Sequence, residues 1–160
     1  LIQNHYYTLE KFLLKLSTEF KKKIIVTIHP AYDLEEHKRY LKNFQVVKYK
    51  TREMIAKAFL VTHFDSSAVT DAIFLKKRLM SLESNYMSEN ERIHSKYYSS
   101  KIGYLHLNLE TNYNFDKDDI LKKLSSNIEN YNDFINKFHI IDPNENGAKK
   151  IIRIIKDRFF

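Results

Sequence analysis

His29 and Pro30 close a β-branched run, Lys23-Ile24-Ile25-Val26-Thr27-Ile28, and this histidine is the first side chain placed to meet an anion. An imidazole there donates to a phosphate oxygen and, when protonated, neutralises charge on a departing phosphate. The same pair also suits a plain turn, with the ring packing or facing water. A second junction, Thr62-His63-Phe64-Asp65-Ser66-Ser67, leads from a buried-looking run into the stretch 68–75. Two hydroxyls and the first N–H groups of a helix make an anion site without any formal charge. Asp65 and Ser66 are equally good helix caps, so capping alone also accounts for them. The sharper expectation is that both junctions converge on one phosphate.

The remaining chemistry-bearing residues narrow the reaction class. His63-x-Asp65 and the scattered His5, His37, His94, His106 and His139 do not have zinc-site spacing, so no metal is expected. Cysteine is absent, which removes disulfides, thiolate ligands and a thiol nucleophile, and fits a reducing compartment such as the cytoplasm. No pair of carboxylates forms an evident general acid and base.

Both junctions need elements to hold them. Tyr6, Leu9, Phe12, Leu13, Leu16 and Phe20 recur at spacings of three and four and predict a helix over 3–20. Strands are expected at 23–28, 45–48, 59–62, 79–82 and 104–109. Helices are expected at 34–42 (capped by Asp33), 51–58 (capped by Thr51), from Asp65 or Ser66 to about 75, 89–100 and within 117–138, and after Gly147. Short strands alternating with helices specify βαβ units. The expected fold class is therefore α/β, a Rossmann-like doubly wound, mostly parallel sheet with helices on both faces. Ligands of such sheets bind beyond the strand carboxyl ends, where both junctions fall.

A chain of 160 residues, 43% hydrophobic, suits a single domain over 1–160. The net charge of +7 favours acidic partners. Its basic residues interleave with 20 acids and form no block longer than Lys21-Lys22-Lys23, which argues against nucleic acid. The apolar runs fall far short of the roughly 20 residues a membrane helix needs. The chain starts at Leu1 without a signal-peptide pattern, so an earlier partner half is expected. The basic, apolar stretch 149–160 suits a helix that covers the sheet or reaches a partner domain; the alternative is peripheral contact with an anionic membrane face. Eleven Tyr and eleven Phe are expected mainly in packing, because no strand interleaves them with basic residues.

In order, a strand ending in His29-Pro30, a short helix at 54–58, a strand running into Ser66-Ser67, then Ala68-Val69-Thr70-Asp71-Ala72 and Lys77-Arg78-Leu79, resembles the donor-binding carboxyl-terminal half of GT-B-type glycosyltransferases. It looks most like the CDP-glycerol glycerophosphotransferases and the HP-motif bacterial sialyltransferases of capsule and cell-surface polysaccharide synthesis. The resemblance covers about 20–83 and the tail 142–157. It implies that His29, with Pro30 shaping its turn, serves as the one catalytic group of this half and contacts the donor phosphate. Ser66 and Ser67 bind the same phosphate, and Asp71 matches an acidic position on the following helix, where a solvated or capping charge is the plainer alternative. The implied substrate is a CMP-, CDP- or UDP-activated sugar or polyol, with no other cofactor. The implied base lies in an amino-terminal acceptor domain. Phe64-Asp65 stands where that family has Asp before an aromatic residue, and Lys77-Arg78-Leu79 replaces its Gly-Lys-Pro. Two rival readings stand beside this one: a non-catalytic α/β interaction module with a basic surface, and a sugar-nucleotide epimerase, whose catalytic carboxylates have no evident place here.

Overall fold

The computed structural model describes residues 2–112, 115–125 and 130–138, together with Arg153 and Lys156. The expected loop at 142–147 and terminal helix over 149–160 otherwise lie outside the described residues. Elements alternate as α1 (Ile2–Phe20), β1 (Ile25–Ile28), α2 (Leu34–Tyr40), β2 (Gln45–Lys48), α3 (Thr51–Lys57), β3 (Leu60–His63), α4 (Val69–Phe74), β4 (Arg78–Glu83), α5 (Glu89–Ile102), β5 (Leu105–Asn108), α6 (Lys117–Ser125) and α7 (Asn130–Phe138). All strand pairs are parallel, as βαβ connections require. The protein is an α/β structure with parallel sheets flanked by helices.

Alternation along β4 divides the two faces. Met80 and Leu82 join the core formed with Leu9, Phe12, Leu13 and Leu16 of α1 and Ile120 and Leu124 of α6. Leu79 points the other way, into Ile55 of α3, Val69 and Ile73 of α4, and Tyr131 and Phe134 of α7. Leu79, Met80 and Leu82 are at most 1% exposed, each contributing about 1.5–3 kcal/mol by burial. This makes β4 the central strand, bonded on both sides in the order β3-β4-β5.

The strands do not form the one continuous sheet expected from the alternation. β1 and β2 make a two-stranded ladder separate from β3-β4-β5. The halves are joined by side-chain burial, since Ile28, Val46, Met80 and Leu107 share one core and Val26 and Leu60 pack against it. α1 braces this core. Its His5 meets Phe64 just after β3 and its Phe20 meets Phe59 just before it, so the helix runs antiparallel to that strand.

Two expected caps are corrected. The N-cap of α4 is Ala68, without a side-chain bond, and Ser66 and Ser67 lie in the preceding turn, their carbonyls accepting from Val69 and Thr70. Those i to i+3 bonds consume the residues that would have begun a longer helix. Ser66 Oγ accepts from Ala68 N at 3.3 Å, while Asp65 turns to His94 instead. Thr51 is the first residue of α3 and Lys50 its N-cap, because the preceding Tyr49 takes a left-handed φ of 62° that ends β2 abruptly. Asp33 does cap α2, its Oδ1 accepting from Glu36 N at 2.7 Å.

Candidate functional site

The His29 turn is built from its own atoms. Its carbonyl accepts from Tyr32 N at 3.0 Å and its Nδ1 from Ala31 N at 3.1 Å. A neutral imidazole that accepts at Nδ1 carries its proton on Nε2, so Nε2 of this exposed residue is a donor. Pro30 has no N–H and sets the φ this turn needs. Lys48, at the end of β2, donates to the Tyr32 carbonyl at 2.7 Å and ties the turn to the neighbouring strand.

The second junction is shaped by a buried pair. His63 Nδ1 lies 2.6 Å from the Phe64 carbonyl, which only accepts, so Nδ1 donates and Nε2 is left to accept from the Tyr104 hydroxyl at 2.7 Å. Burial, with a smaller effect from His106, pushes His63 down to about 4 against the raising effect of its backbone bond, and burial pushes the Tyr104 phenol well up. A neutral His63 therefore holds the loop that presents Asp65, Ser66 and Ser67, all exposed. The Ser67 hydroxyl has no partner among the described residues.

Aromatic rings span the distance between the junctions. Phe64 contacts His5, and His5 contacts Tyr6. Tyr6 meets His37 edge-on, His37 stacks on Tyr32 at 5.5 Å, and Tyr32 meets His29. A relay of ring contacts thus links Phe64 to His29 through the start of α1, and no direct contact joins His29 to Ser66 or Ser67 among the described residues. Asp71 is positioned differently: it lies on α4 with its Oδ1 3.7 Å from Arg52 Nε of α3. Two shallow surface clefts, one formed by Tyr7, Thr8, Lys11, Leu109 and Glu110 and the other by Asp33, Glu36, Arg39 and Tyr40, include none of the expected site residues among their described lining.

A polar network absent from the sequence expectations lies between the sheet and α5. Ser81 Oγ is 2.7 Å from His106 Nδ1, and Glu83 Oε2 is 3.3 Å from His106 Nε2 and 2.9 Å from Lys96 Nζ. Burial alone would raise the Glu83 carboxyl, but Lys96, Asn108 and His106 together hold it below its ordinary value. Burial lowers His106 more than Glu83 raises it. Serine, imidazole and carboxylate in sequence suggest a nucleophile and its base. Ser81 is 0% exposed in the middle of β4, however, so no substrate reaches it and the network is structural. The signal was present: Ser81, Glu83, His106 and Asn108 alternate with leucines on adjacent parallel strands, so their side chains share one face.

Compared with family models, curated proteins and solved structures, the chain matches none. Among the described residues no three His, Asp or Glu side chains are grouped to hold a metal ion, and no helix is long and apolar enough to cross a membrane.

Proposed function

We propose that the chain is the donor-binding half of a GT-B-type transferase of surface polysaccharide or capsule synthesis, holding the phosphate of a CMP-, CDP- or UDP-activated sugar or polyol. The observation that supports this reading is the exposed His29 turn, whose Nδ1 bond to Ala31 leaves Nε2–H as a donor; in this reading Ser66 and Ser67, also exposed, meet the same phosphate. Fixed donors there stabilise charge on the departing phosphate without a protein nucleophile. Pro30 keeps the donor turn in shape, and Asp71 serves the site only if ligand draws it from Arg52. The base and the acceptor surface belong to a preceding domain in this reading, the reaction is cytoplasmic, and the basic stretch 149–160 serves contact with the sheet or that domain, with peripheral contact at the inner membrane face as the alternative.

Thermal unfolding with CMP, CDP, UDP, GDP and ADP tests it, because a ligand of the folded state stabilises by about 2.7 kcal/mol at a hundredfold excess over Kd. A pyrimidine nucleotide is expected to raise the midpoint of the wild type and of neither His29→Ala nor Ser67→Ala. A midpoint unmoved by all five nucleotides, in this chain and in any longer protein that contains it, rejects the reading. One observation favours a non-catalytic interaction module instead: the described lining of the two surface clefts above includes neither His29 nor Ser66 nor Ser67. That alternative requires the same null result together with an intact fold.

A further inference from the structure

The turns after β4 and β5 are tied into one rigid rim. Asn108 Nδ2 donates to Asn85 Oδ1 at 3.0 Å across the strands, and Asn108 Oδ1 accepts from Glu110 N at 2.9 Å and Thr111 N at 3.1 Å. The rim orients one carboxylate. Glu110 Oε1 accepts from Ser84 Oγ at 2.7 Å and Oε2 from Asn85 N at 2.9 Å. A carboxylate has about four acceptor positions, so roughly two remain for a ligand after this anchoring.

That carboxylate lines an open cleft of about 370 Å³ between the rim and the second and third turns of α1. Volumes of about 300–1,000 Å³ are usual for small-molecule sites. The other lining residues are Tyr7, Thr8, Lys11 and Leu109, the last of them 0% exposed. Tyr7 is 59% exposed although its ring is large and apolar, and Lys11 Nζ stands 4.1 Å from its centroid. Among the described lining residues one carboxylate and one ammonium balance, which disfavours an anion such as phosphate. An oriented acceptor, a hydroxyl and an exposed aromatic face together suit a ligand with hydroxyls at its edge and polarised C–H bonds on its flat side.

We propose that this cleft binds a neutral polyhydroxylated ring of the hexopyranose type, with Glu110 accepting from ring hydroxyls, Thr8 completing the polar contacts and Tyr7 stacking on the C–H face. The site is separate from His29, Ser66 and Ser67 and stands whether or not those residues hold a nucleotide.

Backbone-resolved NMR titration of the chain with glucose, galactose and N-acetylglucosamine tests it, with UDP as a control. At least one sugar is expected to cause saturable shifts at the amides of Tyr7, Thr8 and Glu110. Glu110→Gln, which keeps an acceptor for the Asn85 amide, and the exposed Tyr7→Ala should each weaken that binding tenfold or more while leaving the rest of the spectrum in place. The proposal is overturned if no sugar gives saturable shifts there, if both variants bind as the wild type does, or if UDP alone saturates the same amides.

Discussion

The Tyr104 hydroxyl donates to His63 Nε2 at 2.7 Å across 41 residues of sequence, joining the start of β5 to the end of β3. Both side chains are buried, at 4% and 8% exposure, so neither replaces the other with water. Tyr104→Phe removes the donor while keeping the ring, and leaves a buried acceptor unsatisfied at a cost of about 1–3 kcal/mol. Urea unfolding should show a lower midpoint with an unchanged slope. An unchanged midpoint would mean the bond adds nothing.

Acid should weaken the fold before the carboxylates titrate. Folded His63 protonates near 4, against about 6.5 when unfolded. Between those values the unfolded chain holds the extra proton, so stability falls as pH drops from 6.5 towards 4, by up to about 3 kcal/mol. His5 and His106 are lowered by burial and act in the same direction. Asp33 and Glu91, held low by bonds from the Glu36 amide and from Ser88, lose their contributions at still lower pH. The urea midpoint of the wild type should decline between pH 7 and 5, and that of His63→Gln should decline less. A flat wild-type profile over this range contradicts the assignment.

How far such features are legible in sequence depends on the range of the interaction. The stripe Leu9, Phe12, Leu13 and Leu16 names the buried face of α1 because helical periodicity is local. β-branched runs reveal β1 and β2 for the same reason. β4 is longer than the expected 79–82 by Arg78 and Glu83, whose charged ends hide backbone that still pairs with Leu60 and Asn108. The His63–Tyr104 bond and the Ser81–His106–Glu83 network depend on strand register, which sequence spacing does not supply. The ring path from Phe64 to His29 was equally hidden, because His5 and Tyr6 come from a helix far away in sequence. The positions of His29 and of Ser66 and Ser67 at strand-to-helix junctions were legible because the first directly follows an apolar run and the others come within a few residues of one.

Asp71 separates a surface role from a ligand role. Its partner Arg52 is 84% exposed in the side chain and 3.7 Å away, so the pair contributes at most about 0.5 kcal/mol. Asp71→Asn should leave the unfolding midpoint nearly unchanged and retain any stabilisation by nucleotide, whereas Ser67→Ala should lose it. If Asp71→Asn abolishes the nucleotide effect, the carboxylate leaves Arg52 to meet ligand.

Gly103 ends α5 in the left-handed region, at φ 84°, with its N–H donated to the Ser99 carbonyl at 2.7 Å. The opposite end is closed by a capping box in which Ser88 and Glu91 satisfy each other's backbone N–H groups. A Cβ at position 103 would come no nearer than 3.7 Å to the Asn130 side chain, so crowding does not oppose Gly103→Ala. Backbone strain does, because L-residues disfavour left-handed φ by about 1–2 kcal/mol. Alanine also restricts the unfolded chain, which offsets this by about 0.4–1 kcal/mol. The net expectation is a loss of about 1 kcal/mol, read as a drop of about 2–4 °C in Tm for a chain of this size. An equal or higher Tm for Gly103→Ala would mean that α5 ends in another conformation in solution.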